Sequence, residues 1–214
     1  MFKRRVITRS GARVRGYFAS VKSYRLIPWE SPLEREALVI AEFDPRISRM
    51  REHQQLIEID EEEDAFDAYP DFVFEYEDAD PLIVEVKSER HARDPEIQAR
   101  LSRVAQHIEL QGGRYEVQVE SQIRRLPRLE TLEHLLTFRR PRAFAQLIER
   151  SGVAELLRWS GEFPLYAAIQ RLQSRPLVLQ LIANDMLHVN FDEALTNAAV
   201  LTVNEEIRHA HVSH

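Results

Sequence analysis

Two runs of β-branched and aromatic residues lie close together in the middle of the chain, at residues 71–76 and 82–86. Runs of this composition favour strands, and the turn-like residues 77–81 between them predict that the two strands pair as a hairpin. Residues 95–110 have apolar side chains at helical spacing and stop at Gly112-Gly113, and residues 115–119 return to strand alternation. A helix between two strands predicts a βαβ crossover, so this region should fold as an α/β domain.

The segments on either side of this core predict further elements. Ser31, Pro32 and Glu34 are typical of a helix start, with an N-cap, a first-turn proline and a capping-box glutamate, and the helix should end near Phe43. Residues 47–59 predict a strand, followed by an acidic loop or hairpin turn. Beyond Arg125 the pattern indicates short helices and then a small hairpin at residues 188–191 and 200–203.

We therefore expect three regions in the 214-residue chain. Residues 1–30 predict an extended basic N-terminal arm, residues 31–140 an α/β domain built on a mixed sheet flanked by helices, and residues 141–214 a small α+β domain of winged-helix type. A chain of this length can bury a full core and accommodates one ordinary domain with a smaller second one.

Composition excludes several classes of protein. The absence of cysteine rules out a disulfide framework, a thiolate zinc site and cysteine nucleophile chemistry, and it fits a reducing cytoplasm best. No window approaches the roughly 18 apolar residues that a membrane span needs, and the N-terminus is basic without an apolar core. We expect a cytoplasmic protein that does not insert into a membrane.

Charge is distributed unevenly along the chain. The net charge is −6, yet no acidic residue precedes Glu30, and the same segment holds eight basic residues. A second basic group lies between Arg124 and Arg142. Both groups could neutralise DNA phosphates, although ordinary solvated charge explains any single run equally well.

The strands predicted above carry an arrangement of side chains suited to chemistry. Alternate residues of a strand project to the same face, so Glu85 and Lys87 should point together, and the hairpin partner can bring Asp71 beside them. Two converging carboxylates repel each other unless a cation is present, and Mg²⁺ prefers such oxygen ligands, with the Val86 carbonyl as a further candidate. Glu34 would add a third carboxylate if the first helix crosses this edge of the sheet. The pattern predicts metal-dependent hydrolysis of a phosphodiester, with Lys87 orienting or deprotonating the attacking water.

Each part of this pattern also has a simpler explanation. A capping box with Ser31 accounts for Glu34 without any chemistry. A strand edge with cross-strand charge pairs accounts for Glu85 and Lys87, because an acid-x-lysine triplet is common.

The order of the motifs resembles that of a known family, the TnsA endonuclease subunit of heteromeric transposases, which belongs to the PD-(D/E)xK, restriction-endonuclease-like nucleases. The similarity covers most of residues 10–140. The stretches that carry it are RGYFAS at 15–20, ESPLERE at 30–36, EFDP at 42–45, Gln54, YPDF at 69–72, VEVK at 84–87, and IR at 123–124 with PRL at 127–129.

The resemblance implies a catalytic set of Glu34, Asp71, Glu85 and Lys87 and a Mg²⁺-dependent endonuclease, with Mn²⁺ as a substitute. It implies cleavage at transposon ends of the strand that the DDE transposase does not cut. The expected partners are double-stranded DNA, that DDE transposase subunit and an AAA-type ATPase regulator. Together with the charge pattern, it predicts DNA contacts at Arg4, Arg5, Arg13, Arg15, Lys22, Arg25, Gln54, Arg124 and Arg125.

Two other functions stay open at this point. One is a stand-alone restriction-like nuclease acting in defence or repair without a transposase. The other is a non-catalytic module that grips DNA or a protein, with the nuclease fold as scaffold.

Overall fold

A computed structural model of the protein describes residues 14–59, 65–140 and 143–207. The contacts divide the chain into two compact units, Met1–Arg125 and Leu126–His214. The division precedes the domain boundary near Arg140-Pro141 that the sequence predicts. The reason is that helix Arg128–Leu136 buries an apolar face and packs against helix Arg175–Ala183, so it belongs with the second unit.

The first unit contains eight strands and four helices among its described residues. In chain order these are β1 Gly16–Ser20, β2 Arg25–Trp29, α1 Pro32–Phe43, β3 Ile47–Glu52, β4 Ile57–Ile59, β5 Phe66–Ala68, β6 Phe72–Tyr76, β7 Leu82–Lys87, α2 Glu89–Ala92, α3 Pro95–Leu110, β8 Arg114–Val119 and α4 Glu120–Ile123.

The central sheet of this unit is mixed, with strand order β3-β6-β7-β8. Strand β6 pairs antiparallel with β3 on one side and with β7 on the other, whereas β8 runs parallel to β7 after the α3 crossover. The predicted hairpin and βαβ crossover are therefore confirmed, as is the expectation of a mixed α/β sheet flanked by helices. The sheet core includes Val84, Phe72 and Phe74, and the two phenylalanine rings stack with centroids 6.3 Å apart.

The long strand predicted at residues 47–59 is divided into two. β3 ends at Glu52, and β4 leaves the central sheet to pair with β5 as a separate two-stranded hairpin. This hairpin is stabilised by apolar contacts with α3, because Ile59 is buried in one cluster with Val104 and Ile108. The predicted turn at residues 60–64 lies outside the described residues.

Helix α1 begins and ends as its sequence predicts. The Ser31 hydroxyl caps the helix by accepting the Glu34 backbone N–H at 3.2 Å, and Pro32 occupies the first turn. The buried face includes Leu38 and Val39, which are both fully buried. The helix ends at Asp44, before a proline that could not continue it.

Residues 16–29 form a β-hairpin rather than the extended arm that the sequence predicts. β1 and β2 pair antiparallel, with Phe18 and Ile27 opposite each other and buried. Phe18 and Ile27 lie on the face of the hairpin that is buried, whereas their neighbours Tyr17 and Leu26 are exposed. Gly16 lies against the indole of Trp29, and a Cβ built on Gly16 would stand 2.5 Å from a ring carbon.

We expect Gly16→Ala to destabilise the protein by about 1–3 kcal/mol, the usual cost of inserting a methyl group into occupied space. Urea denaturation of the full chain measures this change. In a Trp29→Leu background the ring is gone, so the same substitution should cost clearly less. Equal costs in both backgrounds would show that the ring contact is not the cause.

The second unit consists of short helices and a small antiparallel sheet. Its elements are α5 Arg128–Leu136, α6 Ala143–Ile148, α7 Val153–Leu156, β9 Phe163–Pro164, α8 Leu165–Leu172, α9 Arg175–Ala183, β10 Leu187–Val189 and β11 Val200–Val203. The strand order is β10-β11-β9, so the predicted hairpin of the C-terminal region is present. Leu132, Leu165, Leu181 and Met186 are fully buried in its core.

Within the described parts of the chain, no helix is both long enough and apolar enough to cross a membrane.

Candidate active site

Strand β7 presents its acid and its lysine on one face, as the period of a strand predicts. Val84 and Val86 are buried on one side, while Glu85 and Lys87 lie partly exposed on the other. The Lys87 ammonium donates to Oε1 of Glu85, and it lies 3.4 Å from the carbonyl oxygen of Val86. The two charged side chains therefore form a partly buried ion pair.

Asp71 lies beside this pair at the start of β6. Phe72 pairs with Val84, so continuing the antiparallel register by one residue places Asp71 opposite Glu85. The backbone N–H of Val86 donates to Oδ2 of Asp71 at 2.8 Å, and the Asp71 N–H donates to the Val84 carbonyl at 3.0 Å. The carboxylate is thus fixed in direction by the strand that carries the other two groups.

The charges around Asp71 disfavour its ionised form. Burial raises the pKa of Asp71 well above its usual range, and the neighbouring carboxylates of Glu85 and Glu34 raise it further. The Lys87 ammonium and the hydrogen bond from Val86 lower this pKa without compensating fully. Three acids therefore interact around one position, and a cation placed there would relieve their repulsion.

Lys87 is held in its charged form. Burial alone would lower the pKa of Lys87, but Glu85 and Asp71 raise it on balance. An ammonium with a raised pKa donates hydrogen bonds rather than accepting a proton. In this arrangement it can donate hydrogen bonds to a water molecule or to an anionic ligand.

Glu34 faces the same charges but has partners of its own. Its Oε2 accepts the backbone N–H of Glu30 at 2.6 Å, and its Oε1 accepts the Ser31 hydroxyl at 2.9 Å. These bonds resemble the expected capping box, except that the backbone donor is Glu30, one residue before the N-cap Ser31. The interaction of Glu34 with Asp71 exists alongside them.

The donor set suits a hard divalent cation in its chemistry. Carboxylate oxygens of Asp71 and Glu85 and the Val86 carbonyl oxygen are the ligand types that Mg²⁺ prefers. As the side chains stand, no group of three or more His, Asp or Glu residues within 14–59, 65–140 and 143–207 is arranged to hold a metal ion. The contacts of Glu34 with Glu30 and Ser31 hold its carboxylate at the helix start.

Tyr115 on β8 is a neighbour of the site that the sequence did not reveal. Its hydroxyl is buried and, among the described residues, has no hydrogen-bond partner. Burial raises the pKa of Tyr115, and the charges of Glu85 and Asp71 raise it further, so the phenol stays protonated beside them. The signal that could have identified it is its pairing with Ile83, which aligns it with the face of Glu85, but the register of two parallel strands is not readable from sequence.

Several residues predicted to contact DNA can be located. Three of them lie outside the described residues, namely Arg4, Arg5 and Arg13. Arg15 is partly buried and Arg125 is exposed. The predicted contacts of these five residues stay predictions.

Lys22 has a structural role that the sequence did not suggest. Its ammonium donates to the carbonyl of Ile47 at 2.8 Å, to that of Ala41 at 3.3 Å, and to that of Asp44. These acceptors surround the C-terminal end of α1, where unpaired carbonyls attract a cation. A DNA contact by Lys22 would require it to give up these bonds, so that prediction stays untested.

Arg25 and Gln54 meet on one exposed surface through Glu52. The Arg25 guanidinium makes a two-pronged contact with both Glu52 oxygens at 3.0 and 2.9 Å, and the Gln54 amide donates to Oε1 at 2.6 Å. Arg124 makes a similar exposed pair with Glu36 at 2.7 Å. Exposed pairs of this kind are weak, so these side chains can exchange a carboxylate for a phosphate at little cost.

No protein-family model matches this sequence and no curated protein matches it, so functional conclusions rest on the geometry of the site itself.

Proposed function

We propose that the protein is a Mg²⁺-dependent DNA endonuclease of the PD-(D/E)xK class. The observation that carries this proposal is the meeting of Asp71, Glu85 and Lys87 on one face of the sheet, where the pKa of Asp71 is raised by burial and by the adjacent carboxylates. A site that crowds acids around one position beside an ammonium is suited to a divalent cation and an anionic substrate.

Each residue has a defined task in this proposal. Asp71, Glu85 and the Val86 carbonyl would hold the ion, with Glu34 as a third carboxylate once it leaves Ser31. When bound, Mg²⁺ stabilises the charge that develops on the scissile phosphate and makes a bound water more acidic. Lys87 donates a hydrogen bond that orients the attacking water or a non-bridging phosphate oxygen.

The biological setting is proposed from the resemblance of the motifs to TnsA. In that setting the protein cleaves, at transposon ends, the strand that the DDE transposase does not cut, with an AAA-type ATPase as regulator. The antiparallel β10–β11 hairpin and the helices before it support a winged-helix-like second unit that would contact DNA or a partner. Exposed basic side chains at Arg25, Arg124 and Arg125 are the proposed contacts with double-stranded DNA in the first unit.

The test is a nicking assay on the purified full chain. Supercoiled plasmid is incubated with MgCl₂ or EDTA, with and without a DDE transposase. We expect nicks only with Mg²⁺, and Lys87→Ala should slow nicking by about 10²–10³-fold, the usual effect of removing one charge-stabilising donor.

Arg46→Ala is the matched control for this variant. It also removes one positive charge, but from a side chain that is 78% exposed and paired with Asp44. Arg46 lies next to the first residue of β3, whereas Asp71 lies near the last residue of that strand. The control should nick at the wild-type rate. Full activity of Lys87→Ala, or no Mg²⁺-dependent nicking under either condition, would contradict the proposed mechanism.

The internal partners of the acids favour a second candidate, a DNA-binding module with an idle site. Glu34 is engaged by Ser31 and Glu30, and Glu85 by Lys87, so all three charged side chains have stable partners without a metal. Calorimetric titration with MnCl₂ separates the candidates. Heat of binding that disappears in Asp71→Ala supports the nuclease, and no binding at millimolar Mn²⁺ supports the module.

A further inference from the structure

A cleft of about 250 Å³ opens beside the candidate active site. We call it the α3 cleft, because one wall is formed by Ile97, Leu101 and Val104 of helix α3. The opposite wall comes from the β4–β5 hairpin and includes Phe66 and Ala68. The walls are thus largely apolar, although the cleft is open to solvent.

The inner end of the α3 cleft is polar and is shared with the site. Glu85 and Lys87 line it directly, and Tyr115 lines it as well. The buried Tyr115 hydroxyl has no hydrogen-bond partner among the described residues. A buried hydroxyl without a partner costs free energy, so a ligand that reached it with a donor or an acceptor would gain affinity by pairing with it.

The rim of the cleft carries positive charge. Arg100 lines the cleft, and its guanidinium lies 4.4 Å from the centroid of the Phe66 ring. The guanidinium of Arg103 lies 4.6 Å from the same centroid. Of these two arginines, Arg100 lines the cleft, and its exposed guanidinium can attract an anion there.

We propose that the α3 cleft binds one unpaired nucleotide of the DNA, next to the phosphate on which Glu85 and Lys87 act. This proposal rests on the proposed nuclease function. Apolar walls suit the faces of a base, the Tyr115 hydroxyl suits its polar edge, and Arg100 suits its phosphate. The cleft volume of about 250 Å³ accommodates a ligand of the size of one base.

The occupant of this cleft must touch the catalytic groups, because Glu85 and Lys87 belong to both. A nucleotide held there would fix the position of the neighbouring phosphodiester. DNA that is already unpaired, or easily unpaired, at the cut would be preferred, because less base pairing and stacking has to be broken.

The test uses the full chain and the fluorescent nucleotide 2-aminopurine-2′-deoxyriboside 5′-monophosphate, titrated in EDTA so that no hydrolysis contributes. We expect saturable quenching of the probe. Ala68→Phe fills the cleft and should weaken binding at least tenfold, and Tyr115→Phe removes only the hydroxyl and should weaken it about three- to tenfold. Arg46→Ala is the control and should bind as the wild type does.

A second variant tests the same proposal without the risk that the substitution at Ala68 prevents folding. Arg100 is exposed, so Arg100→Ala should keep its circular dichroism spectrum. It should weaken the monophosphate probe but not the corresponding nucleoside, since only the phosphate meets the guanidinium. Weaker binding in Tyr115→Phe, which affects the base, and in Arg100→Ala, which affects only the phosphate, would locate both ends of the nucleotide in the cleft.

Three results would overturn the proposal. These are no saturable binding by the wild type, equal binding by wild type, Ala68→Phe and Tyr115→Phe, or equal competition by 2-deoxyribose 5-phosphate, which has no base. The nuclease function is judged separately by Mg²⁺-dependent nicking. A nuclease whose cleft fails to bind the probe therefore remains distinguishable from a protein that does not cleave DNA.

Discussion

Asp71→Asn is expected to make the metal-free protein more stable and, at the same time, to abolish Mg²⁺-dependent cleavage. The stability gain follows from the crowded carboxylates, because burial and the charges of Glu85 and Glu34 raise the pKa of Asp71 in the folded state. Asparagine is nearly the same size, and its carbonyl oxygen can still accept the Val86 N–H. The substitution removes the charge and keeps the shape.

The sign of the pH dependence follows from linkage. The pKa of Asp71 is higher in the folded protein than in the unfolded protein. Above about pH 3.9, the ordinary pKa of an aspartate, the unfolded state loses a proton that the folded state still holds. Wild-type stability therefore falls as pH rises through the folded-state pKa. The advantage of Asp71→Asn should be absent at low pH, grow through this window and then stay constant.

The loss of cleavage has a separate cause. An amide oxygen is a neutral and weaker ligand than a carboxylate, so the variant should lose most of the metal-dependent rate. A loss on the order of 10³-fold corresponds to about 4 kcal/mol of transition-state stabilisation, within the several kcal/mol that a bound metal ion supplies.

Urea denaturation in EDTA from pH 4.5 to 8 and nicking assays in MgCl₂ measure the two effects on the same variant. Asp80→Asn is the control, because Asp80 is an exposed acid at the β6–β7 turn, and its change should affect neither quantity. A destabilised Asp71→Asn protein at pH 8 would mean that the charge of Asp71 is already compensated in the fold.

Local sequence patterns predicted the groups of the site better than the contacts around them. The strand period put Glu85 and Lys87 on one face, and the hairpin brought Asp71 to them, since both depend on neighbours within 16 residues. The Ser31 cap was predicted for the same reason. Tyr115 was missed because its place depends on the register of β8 against β7, which long-range packing decides.

The N-terminal hairpin shows the same limit. Its basic residues predicted an extended arm that binds DNA. The apolar residues of β1 and β2 follow one another without a strand period, so they did not predict which side chains are buried. Lys22 contacts the carbonyls of Ala41, Asp44 and Ile47, which lie 19 to 25 residues away in sequence. No local sequence pattern predicts contacts at this separation.

Glu42→Ala is expected to cost about 3–5 kcal/mol of folding stability. Glu42 is fully buried at the end of α1, and its carboxylate joins this helix to the N-terminal hairpin. Oε2 accepts the Ser20 hydroxyl at 2.8 Å, and Oε1 accepts the Lys22 backbone N–H at 3.1 Å. Truncation leaves both donors without their acceptor, and each donor left unsatisfied usually costs about 1–3 kcal/mol.

Chemical denaturation of the full chain measures this loss, and two further variants assign it. Glu42→Gln keeps one acceptor oxygen and should cost clearly less than Glu42→Ala. Ser20→Ala combined with Glu42→Ala should cost less than the sum of the single changes, because the two groups share a bond. Strict additivity would show that the Ser20 contact contributes nothing.

The hydrogen bonds of Glu34 at the start of α1 have a consequence for activation of the proposed enzyme. Glu34 is bound by the Glu30 N–H and the Ser31 hydroxyl, so a cation that recruits this carboxylate competes with the first turn of the helix. The free protein would then bind Mg²⁺ weakly. A DNA phosphate that contributes its own oxygen ligand would strengthen Mg²⁺ binding enough to draw Glu34 away from the helix start. A nuclease with this arrangement would be inactive when free and active only when its DNA substrate is bound, so DNA that it contacts transiently would not be cut.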